Sequence, residues 1–187
     1  MTTAITEIDL DKLLEAETIS RETVSHIKAQ VYSSKENREK LDEKIEALKV
    51  AIKKEHDGAR SKDLTLLLGI CEWVVGRIKE AVELLKEVKS RKLGAYFLGK
   101  CYQESGDYNQ ALECFERAKK TDAEEFDIIM DIAETKRMLG NIDEALKIIK
   151  SFSHSHANSA ELYYQWGRCL DDMGEYQEAF NKYEQSL

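Results

Sequence analysis

The chain has 187 residues, no proline and a formal net charge of −8. Hydrophobic residues make up 42% and charged residues 34%, which is typical of a folded, soluble protein. An acidic chain repels phosphate backbones, and no apolar stretch is long enough to span a bilayer. We therefore expect neither a nucleic-acid partner nor membrane insertion.

The cysteines and the N-terminus indicate the compartment. Cys71, Cys101, Cys114 and Cys169 form no CxxC pair, so they suggest free thiols in a reducing compartment. The first residues, MTTAITEIDL, carry acidic side chains where a signal peptide needs a basic region and an apolar run. These features predict a cytoplasmic location for this stretch, although segments of a longer parent protein could direct it elsewhere.

Residues 1–57 have helical spacing but no clear repeat. Three amphipathic helices are predicted, with Ser34 or Asn37 capping the third and the turn at Asp57 ending it. The interpretations that stay open are a cap over the repeats, degenerate repeats and a dimerising helix. The apolar positions are Leu10, Leu13 and Leu14; Val24, Ile27 and Val31; and Leu41, Ile45, Leu48 and Ile52.

From residue 58 onward, four units carry one pattern, the last three spaced by thirty-four residues and the first by thirty. Each unit has a small residue in a first helix, a turn glycine, then an alanine and a large residue in a second helix. In chain order these positions hold Gly69, Gly99, Ala133 and Gly167; Gly76, Gly106, Gly140 and Gly174; Ala81, Ala111, Ala145 and Ala179; and Leu85, Phe115, Ile149 and Tyr183.

This pattern resembles the tetratricopeptide repeat, a pair of antiparallel helices of about thirty-four residues. The units are about 62–91, 92–125, 126–159 and 160–187 within residues 58–187. Two departures from the family pattern are the missing closing proline, replaced by Ala123 and Ala157, and Lys136 where an aromatic residue is usual. The resemblance implies an all-α, right-handed superhelix (an α-solenoid) of antiparallel helix pairs with N-terminal capping helices.

The small residues have a physical reason. Side chains at the seam would force the two helices beyond the usual separation of about 8–10 Å, and a helix commonly ends at a glycine with positive φ. Cys71, Cys101 and Cys169 share one repeat position, which favours packing over a redox or metal role.

The last unit stops at Leu187 near the end of its second helix. Phe180, Tyr183 and Leu187 would then be uncovered, where terminal repeats normally have a polar outer face. We interpret this as truncation of a longer array, with self-association through the C-terminal helix as the alternative.

The resemblance implies that the first helices line an inner, concave face that holds a peptide or helix. Large side chains there suggest binding anchors, because Tyr, Arg and Met are favoured in interfaces. The predicted partner-binding residues are Tyr96, Lys100, Gln103, Met130, Glu134, Arg137, Tyr164, Arg168 and Asp171. An apolar pocket, or a seat for the N-terminal helices, is predicted at Leu66, Ile70, Trp73 and Val74.

The predicted function is a non-catalytic scaffold or adaptor that binds another protein. No catalytic residue, metal site or cofactor is predicted, and His154 and His156 are interpreted as a polar turn because a metal site needs further ligands. The alternatives are a regulatory or substrate-recruiting region of a larger enzyme, such as a glycosyltransferase, and a self-assembling scaffold.

Overall fold

The computed structural model describes residues 19–119 and 125–187, so the predicted helix at Leu10, Leu13 and Leu14 lies outside the described residues. The described part forms ten helices and no strand. The helices are α1 (Arg21–Ser33), α2 (Lys35–Lys54), α3 (Gly58–Val74), α4 (Ile78–Glu87), α5 (Lys92–Glu104), α6 (Tyr108–Lys119), α7 (Phe126–Met138), α8 (Ile142–Ser151), α9 (Ala160–Asp172) and α10 (Tyr176–Gln185).

The chain divides into two compact units, and the division falls within α5, between Cys101 and Tyr102. The sequence-based boundary at residue 57 falls instead between α2 and α3 and stays a prediction. Among the described residues, no helix combines the length and the apolar character needed to cross a membrane.

The helix ends follow the predicted repeat. Gly76, Gly106, Gly140 and Gly174 all have φ near +80° and end the first helix of each pair, which confirms their predicted role. The four turns also share one hydrogen-bond pattern: at Gly174, for example, its amide donates to the Asp171 carbonyl at 2.9 Å. The same turn geometry is therefore built four times along the chain.

The first unit contains α1 to α4 and α5 as far as Cys101. Helices α1 and α2 pack on each other and both pack on α3, just as α7 and α8 pack on each other and on α9 in the second unit. Ser34 caps α2, as predicted, while Asp57 caps α3 with its carboxylate. Large, fully buried side chains of this unit are Ile27, Leu41, Ile45, Ile70, Leu85, Phe97 and Leu98.

An ionic network joins α2 to the α3–α4 pair. Glu72 on α3 is only 1% exposed, and its carboxylate lies 3.1 Å from Arg77 and 3.3 Å from Lys49. Arg77 also pairs with Asp42 of α2 at 2.6 Å. The hydrogen bond with Glu72 raises the pKa of Arg77. A carboxylate buried this deeply needs such partners, because an unpaired buried charge is costly.

The second unit contains the rest of α5 and α6 to α10. Its core cluster joins three helices, α7, α8 and α9. Lys136, which replaces the usual aromatic residue, extends from α7 to Glu144 on α8, with 2.7 Å between Nζ and Oε2. The cluster consists of Ile129, Met130, Ala133, Ala145, Leu146, Ile149, Leu162 and Cys169.

Close contact with the backbone of Val88 makes Gly94 a position that is sensitive to substitution. A Cβ atom at Gly94 would lie 2.2 Å from the Val88 carbonyl oxygen, so Gly94→Ala should lower the unfolding free energy by about 1–3 kcal/mol. Gly58→Ala is the matched control, since a Cβ there meets no atom within 4 Å and should be neutral or stabilising by about 0.4–1 kcal/mol. Urea unfolding followed by circular dichroism measures both, and equal midpoints for the two variants would contradict this packing.

The Lys136–Glu144 pair predicts a pH dependence. Lys136 lowers the pKa of Glu144 by a hydrogen bond and by its charge. Because the folded pKa is below the unfolded one, the pair stabilises the fold near neutral pH, and the effect disappears as pH falls below about 4.3. The melting temperature of the wild type should therefore be higher than that of Glu144→Gln at pH 7, and the two melting temperatures should converge in acid. Asp143→Asn, at an exposed neighbour, should leave the wild-type pH profile unchanged.

Candidate functional site

In the first unit, the predicted apolar pocket is covered. Leu66, Ile70, Trp73 and Val74 are all buried on α3, on which α1 and α2 pack. The ammonium of Lys28 on α1 lies 3.8 Å from the centroid of the Trp73 ring, a cation–π contact. These four residues thus do not form an open pocket here.

Tyr96 is also covered within the first unit. The Arg21 guanidinium lies over its ring at 5.2 Å, and Phe97 meets it edge-on at 5.1 Å. This corrects the expectation that Tyr96 lies open as an anchor, because Arg21 of α1 occupies the face of its ring. Lys100, one turn further along α5, is half-buried.

In the second unit, Met130 is likewise a core residue. It is 2% exposed and belongs to the cluster with Ala133 of its own helix and Leu162 of α9. The expectation that Met130 lies open in the groove is therefore wrong. The reason is the register of α7, which turns Met130 toward α8 and α9.

Two predicted binding residues are engaged by neighbouring helices of the second unit. The amide of Gln103 donates to the Glu134 carboxylate at 3.0 Å, which links the end of α5 to α7. Arg137 is almost fully buried and donates to Asp172 of α9 at 2.5 Å. These polar contacts hold the first helices together, so Gln103 and Arg137 have a structural role.

The open part of the predicted face lies on α9 and is centred on Tyr164, which is 41% exposed. Arg168 donates to the Tyr164 hydroxyl at 3.0 Å, and this bond, with further support from nearby Glu134, raises the pKa of Arg168. Asp171 is fully exposed one turn further along, and Met138 on α7 is a second exposed apolar side chain. We call Glu134, Met138, Tyr164, Arg168 and Asp171 the Tyr164 surface.

This surface adjoins a cavity of about 550 Å³ at α9 and α10. The Tyr164 and Tyr183 rings, 6.0 Å apart, form one wall, and desolvation by burial raises the pKa of Tyr183. The exposed side chains of Phe180 and Leu187, expected from the sequence to be uncovered, also line the cavity. The lining residues are Tyr164, Arg168, Phe180, Tyr183, Glu184, Ser186 and Leu187.

The cysteines and His156 are engaged in packing. All four cysteines are buried and none forms a disulfide, and desolvation raises the pKa of Cys71 to about 12 and of Cys169 to about 11. His156 stacks on Phe126 with 4.0 Å between ring centroids. Within residues 19–119 and 125–187, no group of three or more His, Cys, Asp or Glu residues could hold a metal ion.

The pairing of Arg137 with Asp172 was not predicted from the sequence. A signal for it exists in the spacing, because Asp42 and Arg77 pair across thirty-five residues in the first unit with the order of charges reversed. The signal is weak, since such charge spacings are frequent in helical sequences.

Known proteins resemble this chain in one part of its sequence and in its fold. Residues 102–165 match the model of the tetratricopeptide repeat family. A solved structure of MamA aligns with a TM-score of 0.68 at 19% identity over 82% of this chain and 90% of that chain. A second MamA structure, from AMB-1, aligns at 0.66 and 20% identity over 87% and 92%.

A Podospora anserina putative kinesin light chain with nearly identical TPR-like repeats aligns with a TM-score of 0.69 at 18% identity, over 88% of this chain and 92% of that chain. No curated protein sequence matches the chain. At these identities the likeness concerns the fold, and it confirms the predicted helical-repeat class.

The Arg137–Asp172 pair should contribute measurably to stability. Asp172→Ala leaves the buried Arg137 guanidinium without its carboxylate and should lower the unfolding free energy by about 1–3 kcal/mol. Asp171→Ala removes an exposed carboxylate next to it and should change that energy by less than about 0.5 kcal/mol. Denaturant unfolding of both variants measures the difference, and identical stabilities would show that the pair does not contribute to the unfolding free energy.

Proposed function

From the match of residues 102–165 to the tetratricopeptide repeat family and the helical-repeat fold, we propose that the chain is a non-catalytic scaffold that binds a segment of another protein on its first helices. Stacked helix pairs present extended surfaces that suit a partner peptide or helix. The observation that carries the proposal is the exposed Tyr164, held by Arg168 among charges of both signs.

The Tyr164 surface has the composition of an interaction site. A tyrosine contributes a large contact area at little conformational cost, and an exposed methionine such as Met138 adapts to varied partners. Because Arg168 holds the tyrosine hydroxyl, part of the ordering cost of binding is already met before a partner arrives. This preorganisation supports Tyr164 as an anchor.

The charges define the partner further. Glu134 and Asp171 would attract basic side chains, whereas Arg168 is already hydrogen-bonded to tyrosine and interacts with Glu134. The partner segment we propose therefore carries an apolar anchor with basic residues beside it. Glu134 disfavours a terminal carboxylate, so we do not propose a carboxylate clamp.

Lys100, half-buried on α5 in the first unit, stays a binding residue predicted from the sequence. Gln103, Arg137 and Met130 hold the helices of the second unit together from within the fold. The cytoplasmic location and the alternative role within a larger enzyme both stay predictions from the sequence.

The binding proposal predicts that Tyr164→Ala weakens peptide binding. Peptides selected from a random display library on the immobilised chain should share an apolar residue flanked by Lys or Arg. Tyr164→Ala should raise the dissociation constants of these peptides by a factor of about 30, as for a hot-spot residue that contributes about 2 kcal/mol. Fluorescence anisotropy with the selected peptides gives the dissociation constants.

Tyr176→Ala is the matched control, because Tyr176 is 70% exposed at the start of α10 and is not part of the Tyr164 surface. It should bind the selected peptides like wild type. Equal affinities for wild type, Tyr164→Ala and Tyr176→Ala would refute the site, provided that circular dichroism shows all three chains to be folded.

A further inference from the structure

Two exposed apolar side chains lie on α10 and just beyond its end. Phe180 is 56% exposed, and Leu187 follows the last residue of the helix, Gln185. Both side chains line the cavity beside Tyr183, and Glu184 lines it with them. We call Phe180, Glu184 and Leu187 the Phe180 face.

The repeat itself shows what kind of element fits such a face. The pairs α7–α8 and α9–α10 have the same bounds thirty-four residues apart, so each residue of α10 has a counterpart on α8. The counterpart of Phe180 is Leu146, which is 8% exposed and packs in the core with Leu162 and Cys169 of α9. The face that is open on α10 is thus covered by a helix on α8.

The charge on the Phe180 face differs from the charge on the corresponding face of α8, which serves below as its template. On α8, the Lys150 ammonium lies 5.7 Å over the Trp166 ring of the covering helix. The counterpart of Lys150 on α10 is Glu184, an exposed carboxylate that lines the cavity. A carboxylate favours a cation where the template has an aromatic ring, because the negative face of the ring repels it.

The other charge in the cavity does not reverse this preference. Arg168 lines the same cavity, but its guanidinium donates to the Tyr164 hydroxyl and also feels the negative charge of Glu134. Glu184 is therefore the side chain that gives the face its negative charge.

We propose that the Phe180 face binds an amphipathic α-helix, packed as α9 packs on α8, with a lysine or arginine opposite Glu184. Its apolar residues contact Phe180 and Leu187 at i and i+7, and its basic residue lies near i+4, the place that Trp166 has on α9. The Phe180 face borders the Tyr164 surface, because Tyr164 and Arg168 line the same cavity as Phe180 and Glu184. Different peptides and different variants therefore test the two surfaces.

The probe is a synthetic peptide that copies Ser159–Asp172 with Cys169→Ala and Trp166→Lys, stapled on its exposed side because isolated helices of this length are marginal in water. The matched peptide carries Trp166→Glu instead. In fluorescence anisotropy, the wild-type chain should bind the lysine peptide about 10-fold more tightly than the glutamate peptide, equivalent to about 1.4 kcal/mol.

Variants of the chain locate the contact. Glu184→Lys should reverse the preference between the two peptides, and Phe180→Ala should weaken both by a factor of about 10. Glu178→Lys, the same charge change at another exposed position of α10, should keep the wild-type preference. Thermal melts confirm that the variants fold, which is expected because both side chains are exposed.

Equal binding of the two peptides, absence of binding, or a preference that Glu184→Lys leaves unchanged would overturn the proposal. A second copy of the chain is the alternative occupant of the face, and sedimentation of the chain alone over a concentration series tests it. A dimer that is lost in Phe180→Ala would assign the face to a second copy and would also overturn the proposal. None of these results bears on the Tyr164 surface, which Tyr164→Ala and Tyr176→Ala test with library peptides.

Discussion

The structure depends on how closely the two helices of each pair approach. At Gly167 an added Cβ would lie 2.6 Å from the Tyr183 ring, and at Gly69 it would lie 2.8 Å from Leu85. The large residue of the second helix thus fills the space that the missing side chain leaves. Burial of Leu85 and the half-burial of Tyr183 follow from this contact, and so does the placement of the helix faces that carry the proposed binding residues.

One repeat position shows how the fold tolerates divergence. Glu72 and Lys136 stand at equivalent places and carry opposite charges, yet each is neutralised by a nearby element: Glu72 by Arg77 and Lys49, and Lys136 by Glu144. Ion pairing therefore replaces aromatic packing at this position, and both first helices still end at a glycine with the same positive φ.

Much of the fold was accessible from the sequence because glycine and alanine positions report backbone geometry directly. The positive φ of Gly140 follows from its place at a helix end, with no knowledge of distant residues. The site was less accessible, because exposure depends on the rotation of each helix against its neighbours. Met130 and Tyr164 share a repeat position, but the first is buried among α8 and α9 while the second is exposed.

The identical turns of the last two pairs have an evolutionary consequence. Residues 126–159 and 160–187 begin their helices in the same register and end the first of them with the same glycine conformation. A tandem duplication of one such stretch would supply its own turn and its own seam, so it could lengthen the protein without redesigning the junction. The two stretches nevertheless differ in surface charge, since Lys150 of one corresponds to Glu184 of the other.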